Sequence, residues 1–277
     1  MHEITGPDHG EPSAFAAAQD TKAVGGHLRQ EAVKATACGT QPARAESQLM
    51  KTALVVWACG VSLLLPRILV AAQAAGANSA ELGAVKAKAA QGDVFAQFSL
   101  GVAYAEGQGV EKNSPMALEW YRRAAHQGYV GALYNLGVMY GTGRGVERDC
   151  AEAVKWFRKA ADQGLAAAQF NLGLMYQNGQ GVEKDYADAA RWYRKAADQG
   201  LAAAQFNLGL MYHKGHGVEK DYVEAYAYFN LAAKTIDAAA ATREVLERLM
   251  APQQVAEAQK RTKELAVKIE ASDTPQP

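Results

Sequence analysis

Residues 168–200 read AQFNLGLMYQNGQGVEKDYADAARWYRKAADQG. Two helical periods flank a glycine-rich turn in this stretch. In the second period Ala189, Trp192, Tyr193 and Ala196 fall at i, i+3, i+4 and i+7, one apolar face of an α-helix. In the first, Ala168, Leu172 and Tyr176 recur every fourth residue, with Gly173 beside Leu172. A glycine inside a helix costs about 1 kcal/mol against alanine, so its presence here implies a close helix approach. Between the periods Gly179 and Gly181 allow positive φ and a tight reversal. Asp185 stands where the second helix needs an N-cap.

The stretch is one of four. Gln-Gly recurs at residues 91, 127, 163 and 199, and Leu-Gly at 100, 136, 172 and 208, each time after 36 residues. Tyr104, Tyr140, Tyr176 and Tyr212 keep the same spacing, as do the Gly-x-Gly-Val turns ending at Val110, Val146, Val182 and Val218. Residues 161–186 and 197–222 agree at 23 of 26 positions, which composition alone does not produce. Each unit is a helix hairpin too small to bury its own faces and stable only when stacked. The expected fold is all-α, with repeats at 89–124, 125–160, 161–196 and 197–232. A capping helix is expected over 79–91 and C-terminal capping helices over 236–270.

These residues resemble the Sel-one-like repeat family, a relative of the tetratricopeptide repeat. The match is Ala-x3-Leu-Gly-x2-Tyr, then Gly-x-Gly-Val, Asp, and Ala-x2-Trp-Tyr-x-Lys-Ala-Ala-x-Gln-Gly, as in Ala168 to Gly200, and it spans 89–232. The tail near Ala251 to Ala258 is similar to the helix that closes such arrays. The resemblance implies a right-handed α-solenoid of stacked hairpins that serves as an adaptor for protein partners, often in bacterial envelopes. Departures are Tyr228 for Trp, Asn230-Leu231 for the basic dipeptide, and Asn113-Ser114 for Asp-Tyr. Some exported relatives staple each hairpin with a cysteine pair, and β-lactam binding or hydrolysis is attributed to some of them. Here Cys150 stands alone opposite Ser114, Tyr186 and Tyr222, so an envelope hydrolase or β-lactam-binding protein is the alternative reading.

The N-terminal part reads differently. Residues 1–49 are polar and lack a helical period, with four Lys or Arg against six acids. They read as a disordered tail or as a spurious extension of a frame that starts at Met50. Lys51, the uncharged run Thr52 to Leu65 and Ala72-Gln73-Ala74 are the n-region, h-region and cleavage site of a signal peptide over 50–74. That run is 14 residues long, short of the roughly 20 that span a bilayer. A periplasmic or secreted protein is expected, touching a membrane only if the segment stays uncleaved.

Charge and composition narrow the function. The 29 Lys and Arg cancel 29 Asp and Glu, which lacks the basic footprint of a nucleic-acid binder. Three cysteines build neither a disulfide framework nor a thiolate metal cluster. His213-Lys-Gly-His216 lies in a turn whose sister turns carry Gln177 and Gln180, or Gly141 and Arg144, at the same places. The pair by itself falls short of the three or four ligands a metal site takes. Gly141-Thr-Gly-Arg-Gly145 follows a helix rather than a strand, which removes the dinucleotide-loop reading. No nucleophile and base pair suggests itself, so no enzyme, cofactor or metal is expected. The informative variation lies on the first helices. Tyr134, Phe170 and Phe206, with Asn135, Asn171 and Asn207 beside them, are expected to line a concave groove that binds a protein or peptide. The alternatives are that the aromatic row packs between repeats and that the Asn row bridges helices.

Overall fold

The computed structural model describes residues 79–273. The extension, the apolar run and the cleavage site expected before residue 75 therefore lie outside the described residues. Four hairpins pair α2 (Val94–Glu106) with α3 (Ser114–His126), α4 (Val130–Thr142) with α5 (Cys150–Asp162), α6 (Ala166–Asn178) with α7 (Tyr186–Ala197), and α8 (Ala202–Lys214) with α9 (Tyr222–Ala232). Before them stands α1 (Ser79–Ala90), and after them α10 (Asp237–Glu247) and α11 (Pro252–Asp273). The described residues form an α-solenoid in which each second helix packs on its own first helix and on the next one. As hairpins, the units begin at the first helix, five residues later than the frame starting at 89. The shift arises because Gln91-Gly92 terminates α1 rather than opening α2.

Local chemistry sets the helix ends. Asn113, Asp149, Asp185 and Asp221 cap the second helices, each side chain accepting a backbone N–H at 2.9–3.0 Å. The backbone N–H of each cap residue donates back to a first-helix tyrosine carbonyl, Tyr104, Tyr140, Tyr176 or Tyr212, at 2.8–3.0 Å. These bonds pin both ends of every Gly-x-Gly-Val turn. The helical glycines Gly101, Gly137, Gly173 and Gly209 lie under Tyr121, Phe157, Tyr193 and Phe229, whose ring atoms would come within 2.5–2.7 Å of an added Cβ. The hairpin's two helices thus approach through a glycine and a ring, and Leu100, Leu136, Leu172 and Leu208 beside the glycines are fully buried.

One helix departs from a simple stack. Rather than pairing with α10, α11 lies along α9, with Ala258 and Leu265 buried. Arg261 binds Glu224 at 2.6 Å and Lys268 binds Asp198 at 2.9 Å. The outward positions that are Lys155, Arg158 and Lys159 in α5 become Ala227, Asn230 and Leu231 in α9, and Ala227 and Leu231 are buried. A helix apolar all round is a buried one. The altered dipeptide at 230–231 is therefore the seat of α11, and Asn230 accepts a bond from Arg243 of α10 at 2.6 Å.

Candidate functional site

Positions separated by four and then three residues share one face of each first helix. These are Ser99 and Val102 after Phe95 in α2, Asn135 and Val138 after Gly131 in α4, Asn171 and Leu174 after Ala167 in α6, and Asn207 and Leu210 after Ala203 in α8. The aromatic row one residue earlier is corrected by the structure. Tyr134, Phe170 and Phe206 are buried, not projecting into a groove. Each lies on a ring of its own second helix, as Phe98 does, with centroids 5.6–5.8 Å apart in the pairs Phe98–Tyr121, Tyr134–Phe157, Phe170–Tyr193 and Phe206–Phe229. Burying such a side chain gains about 1.5–3 kcal/mol, which is why the row turns inward.

The asparagines are drawn in by those rings. Asn171 and Asn207 are only 7% and 6% exposed, and Asn135 is half-buried. Asn171 Nδ2 donates to the Tyr134 hydroxyl at 3.3 Å. Asn135 lies near the Tyr121 hydroxyl and Asn207 near that of Tyr193, each opposing the rise in pKa that burial causes. Tyr193 in turn donates to Gln177 Oε1 at 2.7 Å. Each of the first three ring pairs carries one hydroxyl, on the second helix in repeats one and three and on the first helix in repeat two. There Phe157 lacks the oxygen and Tyr134 supplies it. The fourth pair is Phe206–Phe229, and the position 36 residues after Asn207 is Arg243. Hydroxyl and asparagine thus occur together and disappear together. Burial pushes the Tyr134 hydroxyl up to about 12, with the Asn171 bond opposing it. Burial likewise raises Tyr121 and Tyr193.

A second set of contacts, not foreseen from the sequence, ties helix ends together. Gln97, Gln169 and Gln205 are buried and donate to the carbonyls of Ala89, Ala161 and Ala197 at 3.2–3.3 Å. Gln127 and Gln199, from the Gln-Gly pairs, donate to the side-chain oxygens of Gln97 and Gln169 at 2.8 Å. The signal was available in the recurrence of Gln immediately before Phe98, Phe170 and Phe206, but its depth was not. On the outer side Arg122 and Arg194 donate to the hydroxyls of Tyr140 and Tyr212 in the next repeat at 2.5–2.6 Å, and Arg158 donates to that of Tyr176.

What stays open on the first helices is an apolar row. Val138, Leu174 and Leu210 are half-buried at the same 36-residue spacing, next to half-buried Asn135, with Phe95 exposed at the array's start. The row follows the Asn positions by three residues, a spacing legible in the sequence. His213 and His216 do not pair with each other but stack on Tyr222 and Tyr186, at 5.6 and 4.7 Å between centroids. Burial lowers the His213 pKa, assisted by Lys220 and Lys214. Among the described residues no three His, Cys, Asp or Glu side chains gather at one point. Cys150 opens α5, half-buried beneath Gly181 of the following turn.

Comparison with known proteins places these features. The Sel1 repeat model matches residues 94–129, 130–165, 166–201 and 202–234. Among solved structures the chain is similar to a protective antigen of uropathogenic Escherichia coli displaying an SLR fold. The two are 38% identical with a TM-score of 0.63, over 71% of this chain and 44% of that one. It is also similar to a Sel1 repeat protein from Oxalobacter formigenes, 43% identical with a TM-score of 0.51, over 52% of this chain and 58% of that one. The chain thus spans less than two thirds of either relative's length. No curated protein matches it.

Proposed function

The chain belongs to the Sel1 repeat family, and we propose on that premise that it is an exported, non-catalytic scaffold that binds a protein or peptide along its first helices. Repeats of this family generally mediate protein–protein contacts. The observation that supports the location is the half-buried row Val138, Leu174 and Leu210, the apolar side chains that recur on the first-helix face while the rings beside them are buried. A row with a fixed repeat suits an extended or helical partner that sets apolar side chains at regular intervals. Of the six residues named from the sequence, Asn135 keeps enough exposure to touch a partner. Tyr134, Phe170, Asn171, Phe206 and Asn207 act by shaping the face.

The test is affinity capture compared across variants. Val138→Thr, Leu174→Gln and Leu210→Gln together are expected to reduce partner recovery about tenfold, as loss of a few apolar contacts does, with melting shifted by only a few degrees. The outer-face change Lys155→Ala is expected to leave recovery unchanged. The opposite pattern would remove the first helices from the binding surface. Export rests on Lys51, the apolar run and Ala72-Gln73-Ala74. N-terminal sequencing of protein recovered from the bacterial envelope is expected to begin at Ala75, and a cytosolic form starting at Met1 would sink that part of the reading.

A further inference from the structure

The array ends on a first helix without a second. Val245 of α10 stands 36 residues after Gly209, at the position where each hairpin has a glycine beneath an aromatic ring. Among the described residues no ring covers it, because α11 packs on α9 instead. Val245 of α10 and Leu249, in the turn that follows the C-cap Arg248, are each 61% exposed, and Ala241, four residues before Val245, is exposed as well. Glu244 and Arg248 flank this stripe, both exposed, and no ion pair joins either to another described residue.

Two features define what fits there. In the four hairpins a Cβ at the glycine would meet the ring at 2.5–2.7 Å, so Val245 closes the slot to another second helix docked in the family's manner. A helix at the ordinary interaxial distance of about 8–10 Å is still accommodated. The order of charges then selects the partner. An acid four residues before a base, on both sides of a two-fold axis, meets its complement twice when the helices run antiparallel. A parallel alignment sets like charges opposite one another.

We propose that this end of the array is a homodimer contact, in which α10 packs antiparallel on α10 of a second copy. A two-fold axis beside Val245 sets that residue against its symmetry mate and Leu249 over the partner's Ala241. It also sets Glu244 opposite the partner's Arg248, and the reciprocal pair forms by symmetry. Such a contact is isologous and closed. Its small area places the dissociation constant on the order of 10–100 μM.

The experiment is light scattering and sedimentation equilibrium on the full chain from about 1 to 300 μM. A rise from monomer to dimer mass, and no further, is expected. Val245→Asp is expected to remain monomeric at every concentration, with unchanged helix content because the side chain lies outside the core. Glu244→Arg and Arg248→Glu are each expected to weaken the dimer about tenfold, since two attractions become two repulsions. The double variant E244R/R248E is expected to dimerise as the original does. A constant monomer mass, a Val245→Asp variant that still dimerises, continued growth past the dimer, or failure of the double variant to recover would each overturn the proposal.

Discussion

Replacing Asn171 by alanine is expected to destabilise the solenoid by about 1–3 kcal/mol, the cost of leaving the bond of the buried Tyr134 hydroxyl unmade. Asn135→Ala and Asn207→Ala are expected to cost less, because Asn135 is half-buried and the Tyr193 hydroxyl keeps its bond to Gln177. The interfaces lie a full repeat apart, so the three losses are expected to add closely. The decisive variants concern the hydroxyl in repeat two. Tyr134→Phe removes the oxygen that Asn171 meets at 3.3 Å and is expected to lower stability by the same order. Adding Phe157→Tyr to that variant moves the oxygen to the place it holds in repeats one and three, as Tyr121 and Tyr193. The double variant is therefore expected to recover most of the loss, whereas Phe157→Tyr alone, with two hydroxyls at one interface, is not expected to stabilise. Urea unfolding, with hydrogen exchange to localise the change, measures all three. Absence of recovery would show that Asn171 needs Tyr134 for its packing rather than its oxygen. The hydroxyl also sets an alkaline limit. Because its pKa rises from the usual 10 to about 12 on folding, its contribution is complete below pH 10 and is lost as pH rises from 10 towards 12. Tyr134→Phe is expected to blunt that alkaline loss.

How the sequence speaks to these residues explains what it left unread. Period and residue type place Asn171 on a helix face, and they identify Leu172 and Gly173 as the packed side. They do not say how deep the face lies, because depth depends on what the previous repeat presents to it. Tyr134 and Phe157 exchange their hydroxyl relative to Phe170 and Tyr193, and that exchange is visible in the sequence only once the two positions are known to touch. Caps were more legible, since Asp149, Asp185 and Asp221 act within three residues of themselves. At the C-terminal end the loss of charge at 227, 230 and 231 is the sequence trace of α11 lying on α9. Read against its own helix alone, the same change is a mild departure from a motif.

A large single-residue effect is expected at Gly181, where two costs coincide, as they do at Gly217. Its φ of +69° lies in the left-handed region, which costs a residue with a Cβ roughly 1–2 kcal/mol. Its missing side chain also leaves room for the start of α5, since an added Cβ would stand 2.2 Å from the carbonyl carbon and oxygen of Cys150. Those atoms are backbone and already committed to the helix, so relief requires moving the turn away from the preceding repeat. Gly181→Ala is accordingly expected to cost about 1–3 kcal/mol beyond the conformational cost, as overpacking does. Gly109 provides the comparison. Its φ of +68° is the same, but an added Cβ there meets only Leu82 Cδ2 at 3.9 Å. Gly109→Ala is expected to show the conformational cost alone, and the difference between the two variants isolates the contact between a turn and the helix of the repeat before it. Because neighbouring repeats carry the coupling, the Gly181 variant is also expected to speed hydrogen exchange at Ala153 and Val154 in the first turns of α5 and to leave α2, two repeats away, unchanged. Equal losses in the two variants would mean that the turns fold as independent units and that the repeats are held together by helix packing alone.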